Sequence, residues 1–141
     1  MNTWYEESVF YHIYPLGLTG APKFNDAPEV VNRFTELNDW IPHIRNLGCN
    51  ALYIGPLFES GSHGYDTKDY RLVDRRLGDN EAFRHFTVLC HERKIRVVVD
   101  GVFNHTGRSF FAFRDIQEKL WASPYKDWYK GICFEQTSPM G

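Results

Sequence analysis

The clearest indication of the fold is the segment Ile95-Arg96-Val97-Val98-Val99-Asp100-Gly101-Val102-Phe103-Asn104-His105. Its first half is a short run of branched apolar residues, which predicts a buried β-strand. Asp100 then stands at the carboxyl end of that strand, the edge where ligands bind in parallel sheets. Asp100, Asn104 and His105 could together bind hydroxyl groups or a hard cation. The alternative is an ordinary strand-to-loop turn in which Asp100 accepts hydrogen bonds from backbone donors.

Two earlier apolar runs predict further strands of the same sheet. Val9 to Pro15 (Val-Phe-Tyr-His-Ile-Tyr-Pro) is apolar on both faces, as in a covered parallel sheet, and Pro15 blocks its continuation. Ala51 to Gly55 is a second short run, closed by Gly55-Pro56. The stretch from Phe58 to Asp79 between the second and third strands is polar, and we expect it to be a long loop.

Helical periodicity separates these strands. An apolar face precedes the second strand and consists of Leu37, Trp40, Ile41, Ile44 and Leu47. Asn38 or Asp39 is expected to cap this helix, with Pro42 in its first turn and Gly48 left-handed beyond its end. The next helix is expected to begin with Asn80 as its cap. Its core face is predicted to contain Phe83, Phe86, Leu89 and Cys90.

The order strand, helix, strand, helix, strand predicts parallel βαβ units with right-handed crossovers. A further helix is expected at residues 109–119, with Phe110, Phe113 and Gln117 along one side. Residues 136–141 are expected to form an irregular loop. The fold class is therefore α/β, built from about three βα units.

A second polar cluster, Ser62-His63-Gly64-Tyr65-Asp66-Thr67-Lys68-Asp69-Tyr70, follows the second strand. It combines carboxylates, an imidazole and phenol rings with a glycine. Carbohydrate sites need this mixture, because carboxylates accept hydrogen bonds from hydroxyls and rings stack on the C–H face of a sugar. An ordinary polar loop is the alternative. Two such clusters at the ends of successive strands favour a binding site more strongly than one cluster alone would.

Composition excludes several classes of function. The net charge is -2 with no basic run, which disfavours nucleic acid as a partner. No apolar stretch approaches the ~20 residues needed to span a bilayer. The polar N-terminus has no secretory pattern, and the three scattered cysteines predict reduced, buried thiols, so we expect a cytoplasmic protein. Aromatic residues make up 16% of the chain, which fits either a core rich in rings or a sugar-binding surface.

These motifs resemble those of the α-amylase family of glycoside hydrolases. Asp100-Gly101-Val102-Phe103-Asn104-His105 matches the family signature Asp-x-Val-x-Asn-His at the end of the third barrel strand, and 64–70 is similar to the loop after the second. The Ser-His-Gly-Tyr-Asp-Thr-x-Asp-Tyr version is most similar to intracellular cyclomaltodextrinases and neopullulanases. Arg75-Arg76 departs from that subgroup, where an acidic residue followed by proline is common. The resemblance implies the N-terminal part of a TIM (β/α)8 barrel, with the start of the insertion after strand three.

The resemblance also implies roles for individual residues. Tyr65 would stack on the sugar beside the cleavage point, while Asp66 and His105 would bind its hydroxyls. Asp100 would orient neighbouring groups of the site. Asn104 matches the position of a calcium ligand in many α-amylases, and calcium is the one metal that the resemblance suggests. The expected partner is an α-1,4-linked glucan or maltooligosaccharide.

The family's retaining mechanism needs a nucleophile and an acid/base carboxyl. No motif for either is found among the 141 residues, and Asp115, Asp127 and Glu135 are expected to be solvated surface charges. A complete barrel takes about 250 residues. We therefore expect residues 1–141 to be a partial catalytic domain that stops before strand four, poorly stable and without hydrolase activity of its own.

Two other functions fit the residues less well. One is a non-catalytic remnant that keeps Tyr65, Asp66 and His105 as a weak sugar site. The other is an unrelated metal-dependent hydrolase that uses His63, Asp100 and His105. The second lacks the close ligand spacing of such sites.

Overall fold

The structure is a computed structural model that describes residues 2–135, so the loop expected at 136–141 lies outside it. The strands of this part are β1 (Phe10–Ile13), β2 (Ala51–Ile54), β3 (Phe58–Ser60), β4 (Thr67–Val73) and β5 (Arg96–Val99). Its α-helices are α1 (Pro15–Leu18), α2 (Phe34–Asn38), α3 (Trp40–Asn46), α4 (Asn80–Glu92) and α5 (Phe111–Lys119). Short 3-10 turns follow at Leu120–Ala122 and Lys126–Trp128.

The three apolar runs form one parallel sheet in the order β1-β2-β5. Ile13 is paired with Ile54 and Ile54 with Val99, so the three strands end at the same level. This confirms the α/β class and the parallel order. Residues 2–135 do not close the sheet into a barrel, because both β1 and β5 keep a free edge within this part of the chain.

The first predicted helix is divided into α2 and α3 at Asp39. Pro42 has no backbone N–H to donate to the Asn38 carbonyl four residues earlier, which weakens the helix at this point. Asp39 occupies the N-cap position of α3, but its side chain makes no capping hydrogen bond. The position of the cap is therefore predicted correctly, whereas the expected side-chain hydrogen bond is absent. Gly48 has the predicted positive φ of 87°. Leu47 is 58% exposed and does not belong to the buried face.

The core lies between the sheet and helices α2, α3 and α4. Its fully buried side chains include Phe34, Leu37, Ile44, Leu52, Ile54, Phe86 and Cys90. Phe83 and Leu89 pack against it while partly buried, so the core face predicted for α4 is confirmed. The cap of this helix is Asp79, whose carboxylate accepts a hydrogen bond from the Ala82 N–H, and not Asn80.

The segment expected to be a long loop contains an antiparallel hairpin of β3 and β4. Buried polar groups hold it in place, and these are hard to distinguish from loop residues in the sequence. Asp74 is fully buried and forms a two-pronged ion pair with Arg76, with atoms 2.9 and 2.7 Å apart. Ser60 joins this pair through its hydroxyl. Asn25 donates to the Ser60 carbonyl, which ties the earlier loop to the hairpin.

Helix α5 lies within the predicted residues 109–119 but buries a different face. Ala112 and Ile116 are buried, whereas Gln117 is exposed. Phe110 is also buried, as the residue that precedes the helix. Phe111 is exposed and Phe113 only half-buried, so the apolar residues of the sequence define the buried side of α5 poorly.

Candidate functional site

The two polar clusters meet where β2 and β5 end. The Nε2 atom of His105 lies 2.9 Å from the carbonyl oxygen of Tyr65, so the loop after β5 is hydrogen-bonded to the loop between β3 and β4. The structure thus brings together two residues that lie 40 positions apart in the chain. The side chain of Tyr65 remains 43% exposed, so its ring is accessible to a ligand.

Asp66 is held beside Tyr65 by a ring of hydrogen bonds from Ser62. The Ser62 N–H and hydroxyl donate to the two carboxylate oxygens at 3.1 and 2.9 Å. Burial raises the pKa of Asp66, but the hydrogen bonds from Ser62 outweigh this effect, so the pKa of Asp66 lies below its usual value. Asp66 is therefore a fixed, ionised acceptor at neutral pH.

Two glycines allow the close packing of these loops. Gly64 has φ of 96° and sits against Pro56, where an added Cβ would lie 2.3 Å from the proline ring. A Cβ on Gly107 would lie 2.5 Å from the carbonyl oxygen of Asp66. The Gly107 N–H also donates to the Thr67 carbonyl at 2.9 Å. Any larger residue at 107 would force the loops apart.

The end of β1 supports the same loop through Tyr14. Its hydroxyl donates to the carbonyl oxygen of His63 at 2.9 Å. Burial raises the pKa of Tyr14, which keeps the hydroxyl neutral and able to donate. From the sequence, Tyr14 is predicted only as part of a strand. Its position at a strand end, level with the other clusters, is the signal that could have identified it.

Asp100 lies at the carboxyl edge of the parallel sheet, as predicted. Its backbone N–H donates to the Ile54 carbonyl at 3.0 Å, which extends the β2–β5 pairing by one residue. Partial burial, together with a hydrogen bond to Asp100, raises the pKa of Tyr53. The Tyr53 ring stacks on His12 of β1, with centroids 4.7 Å apart. Tyr53 and His12 are therefore neighbours of the site that the sequence analysis missed.

An aromatic cavity of about 740 Å³ lies on the other side of His105. Its wall includes the rings of Phe103, Tyr129 and Trp128, and the last is 60% exposed. Tyr70 also lines this cavity, and its hydroxyl donates to the Val102 carbonyl at 2.7 Å. Some of the many aromatic side chains thus line an accessible surface, and others pack against neighbouring residues.

The role of calcium ligand that the resemblance implies for Asn104 stays a prediction. The side-chain nitrogen of Asn104 lies 2.9 Å from Nδ1 of His105, so the amide is engaged with the imidazole. Nowhere in the described residues 2–135 do three or more His, Cys, Asp or Glu side chains converge as metal ligands. Calcium takes six to eight oxygen ligands. The same result argues against a metal site made of His63, Asp100 and His105.

The carboxylates that follow β5 play structural or solvated roles. Asp115 is more than a solvated charge, because it pairs with Lys119 and accepts a hydrogen bond from the Ser123 hydroxyl at 2.6 Å. The pKa of Asp115 is lowered by the hydrogen bonds from these two partners. Asp127 has an 86% exposed side chain, as expected, and Glu135 is also exposed.

The cleft at these strand ends combines an exposed ring with an ionised carboxylate on a parallel sheet. This combination suits a polyhydroxylated ligand. Residues 34–140 match the family model described as Alpha amylase, catalytic domain. The chain therefore belongs to the alpha-amylase family of catalytic domains.

Individual relatives indicate which members of the family this chain is similar to. The chain is 37% identical to Neopullulanase 2 of Thermoactinomyces vulgaris, over 89% of this chain and 24% of that protein. It is 36% identical to a cyclomaltodextrinase of a Bacillus species, over 89% of this chain and 25% of that protein. The chain thus spans about a quarter of the length of these relatives. The Intracellular maltogenic amylase of Bacillus subtilis is 32% identical, over 95% of this chain and 25% of that protein.

Solved structures give the same family. The cyclic alpha-maltosyl-(1→6)-maltose hydrolase of Arthrobacter globiformis, in complex with the saccharide of that name, superposes with a TM-score of 0.77. The two chains are 32% identical, and the match covers 96% of this chain and 34% of that one. An acarbose-soaked debranching enzyme of Nostoc punctiforme gives a TM-score of 0.75 at 34% identity, over 98% and 33% of the two chains.

None of the helices in 2–135 has the length and apolar character required to cross a bilayer.

Proposed function

We propose that this chain supplies the sugar-stacking side of the active site of a retaining glycoside hydrolase that acts on α-1,4-linked glucans in the cytoplasm. In this proposal residues 1–141 are the first part of a catalytic (β/α)8 barrel, and the carboxylates that cleave the bond belong to later strands. The single observation that supports it is the hydrogen bond between His105 and Tyr65, which joins both family motifs at one edge of the sheet.

The roles follow from the chemistry of each side chain. The exposed ring of Tyr65 offers an apolar face to a glucose unit. Asp66 is an ionised acceptor for sugar hydroxyls because the Ser62 donors stabilise its charge. Asp100 stands at the end of β5, next to the Tyr53 hydroxyl, and is suited to orient groups that enter from neighbouring strands. No step of this proposal uses a metal ion.

We expect the 141-residue chain to bind a maltooligosaccharide without hydrolysing it. Calorimetry with maltotriose is expected to detect weak binding, while assays of glucose release should find no turnover. Tyr65→Ala should weaken binding about five- to ten-fold, the value of one stacking contact of about 1 kcal/mol. Tyr5→Ala is the matched control, because Tyr5 is 56% exposed in the segment before β1. Equal affinity of both variants would contradict the stacking role.

A non-catalytic sugar-binding protein is the second candidate. The exposed ring of Tyr65 and the ionised Asp66 support it, because both can contact a sugar without any hydrolysis. Sequencing of the reading frame beyond Gly141 distinguishes the two: the hydrolase requires a continuation with both carboxylate signatures, and the binding protein does not. Robust turnover by the 141 residues would contradict both.

A further inference from the structure

The peptide groups of Tyr65 are held between two imidazoles. The Tyr65 N–H lies 3.1 Å from Nδ1 of His63, and the Tyr65 carbonyl oxygen lies 2.9 Å from Nε2 of His105. A backbone N–H can only donate and a carbonyl oxygen can only accept. Nδ1 of His63 must therefore be free of hydrogen, and Nε2 of His105 must carry one.

The second ring nitrogen of His105 faces a partner that completes the pattern. Its Nδ1 atom lies 2.9 Å from the side-chain nitrogen of Asn104. That amide nitrogen can only donate, so Nδ1 must accept. One arrangement of hydrogens satisfies every contact: Asn104 donates to Nδ1, and Nε2–H donates to Tyr65. The opposite tautomer would set two hydrogens against each other at Nδ1 and two lone pairs at Nε2.

We propose that Asn104 is a positioning residue: it fixes the Nε2–H tautomer of His105 and, through that imidazole, the peptide of Tyr65. The link from the tautomer to the Tyr65 peptide rests on geometry alone. Its consequence for ligand binding rests on the proposed function, because it takes the Tyr65 ring as the surface on which a glucose unit stacks. Asn104 itself need not touch the ligand.

The tautomer can be observed directly without any sugar. In the 141-residue chain labelled with ¹⁵N-histidine, long-range ¹⁵N–¹H spectra at a pH where the rings are neutral distinguish protonated from bare ring nitrogens. The His105→Gln variant identifies the signals of His105 by their loss. We expect a hydrogen on Nε2 and none on Nδ1. A hydrogen found on Nδ1 would overturn the proposal.

A double-mutant cycle separates positioning from a merely structural role. Asn104→Leu should weaken maltotriose binding about five-fold, the effect of about one lost hydrogen bond. In the His105→Gln background the glutamine side-chain amide can donate to the Tyr65 carbonyl, and it has no tautomer for Asn104 to fix. Asn104→Leu should therefore change the affinity for maltotriose less than two-fold in this background. An equal loss in both backgrounds would overturn the proposal, because Asn104 would then act independently of His105.

The two proposals can fail separately. If the unsubstituted chain does not bind maltotriose but shows the Nε2–H pattern, the glucan site is refuted and the proposed tautomer of His105 is supported. If maltotriose binds and the hydrogen lies on Nδ1, the glucan site is supported and the positioning role is refuted.

Discussion

The buried ion pair between Asp74 and Arg76 offers the most direct test of the structure. Replacement of Arg76 by Met leaves the fully buried Asp74 carboxylate without the two charge-assisted bonds that it now accepts at 2.9 and 2.7 Å. The Pro22 carbonyl loses its donor as well. Removal of one partner from a buried pair costs about 3–5 kcal/mol, because the remaining charge stays desolvated. That is a large share of the stability of a small domain.

Urea unfolding followed by circular dichroism measures this effect. Arg76→Met is expected to lower the free energy of unfolding by that amount or to leave the chain unfolded without urea. Arg84→Met is the matched control, because Arg84 forms an exposed pair with Glu81 and its loss should fall within experimental error. The double variant Asp74→Asn with Arg76→Met should recover part of the loss, since no charge then remains buried. A loss below about 1 kcal/mol for Arg76→Met would refute the burial of this pair.

Three further predictions address the site and the core. Because the folded-state pKa of Asp66 is lowered, its contribution to stability is complete above the usual value of 3.8 and is lost as the pH falls through the lower folded value. Asp66→Asn should therefore flatten the acid side of a plot of urea midpoint against pH, and an unchanged slope would contradict the Ser62 contacts. The prediction of buried thiols is confirmed for Cys49 and Cys90 and is wrong for Cys133, which is exposed. Burial raises the pKa of Cys90 to about 12, so Ellman's reagent should label Cys133 first and Cys90 only after unfolding. A fast phase that survives Cys133→Ser would show that another thiol is accessible. Gly107→Ala should weaken maltotriose binding at least about five-fold by separating the loops. Gly20→Ala, whose Cβ meets no atom within 4 Å but whose φ is +61°, should lower the stability and leave the affinity unchanged.

The parallel sheet could be predicted from the sequence because its strands are apolar runs with clear ends. The branched apolar residues Val97, Val98 and Val99 strongly favour a β-strand, and Asp100 marks the edge at which the site lies. The polar clusters also identified Tyr65, Asp66 and His105 as neighbours, and the structure places these residues together. Their roles in sugar binding remain predictions.

The parts that could not be predicted depend on contacts between distant residues. The hairpin of β3 and β4 is stabilised by buried polar groups such as Asp74, whose partner becomes evident only in the fold. Asp79 and Asn80 are equally good caps by residue type, and tertiary contacts decide between them: the Asn80 side chain accepts a hydrogen bond from the Val73 N–H instead. Tyr14 joins the site only because β1 ends level with β2.

The close contact of Gly107 with the backbone of Asp66 also limits how this cleft can be re-engineered. Two segments that share a backbone hydrogen bond and have no room for a methyl group between them cannot be exchanged one at a time. A chimera that takes residues 61–67 from a relative of different loop length would have to take residues 100–107 from the same donor. Specificity at this cleft would then be inherited in matched pairs of loops.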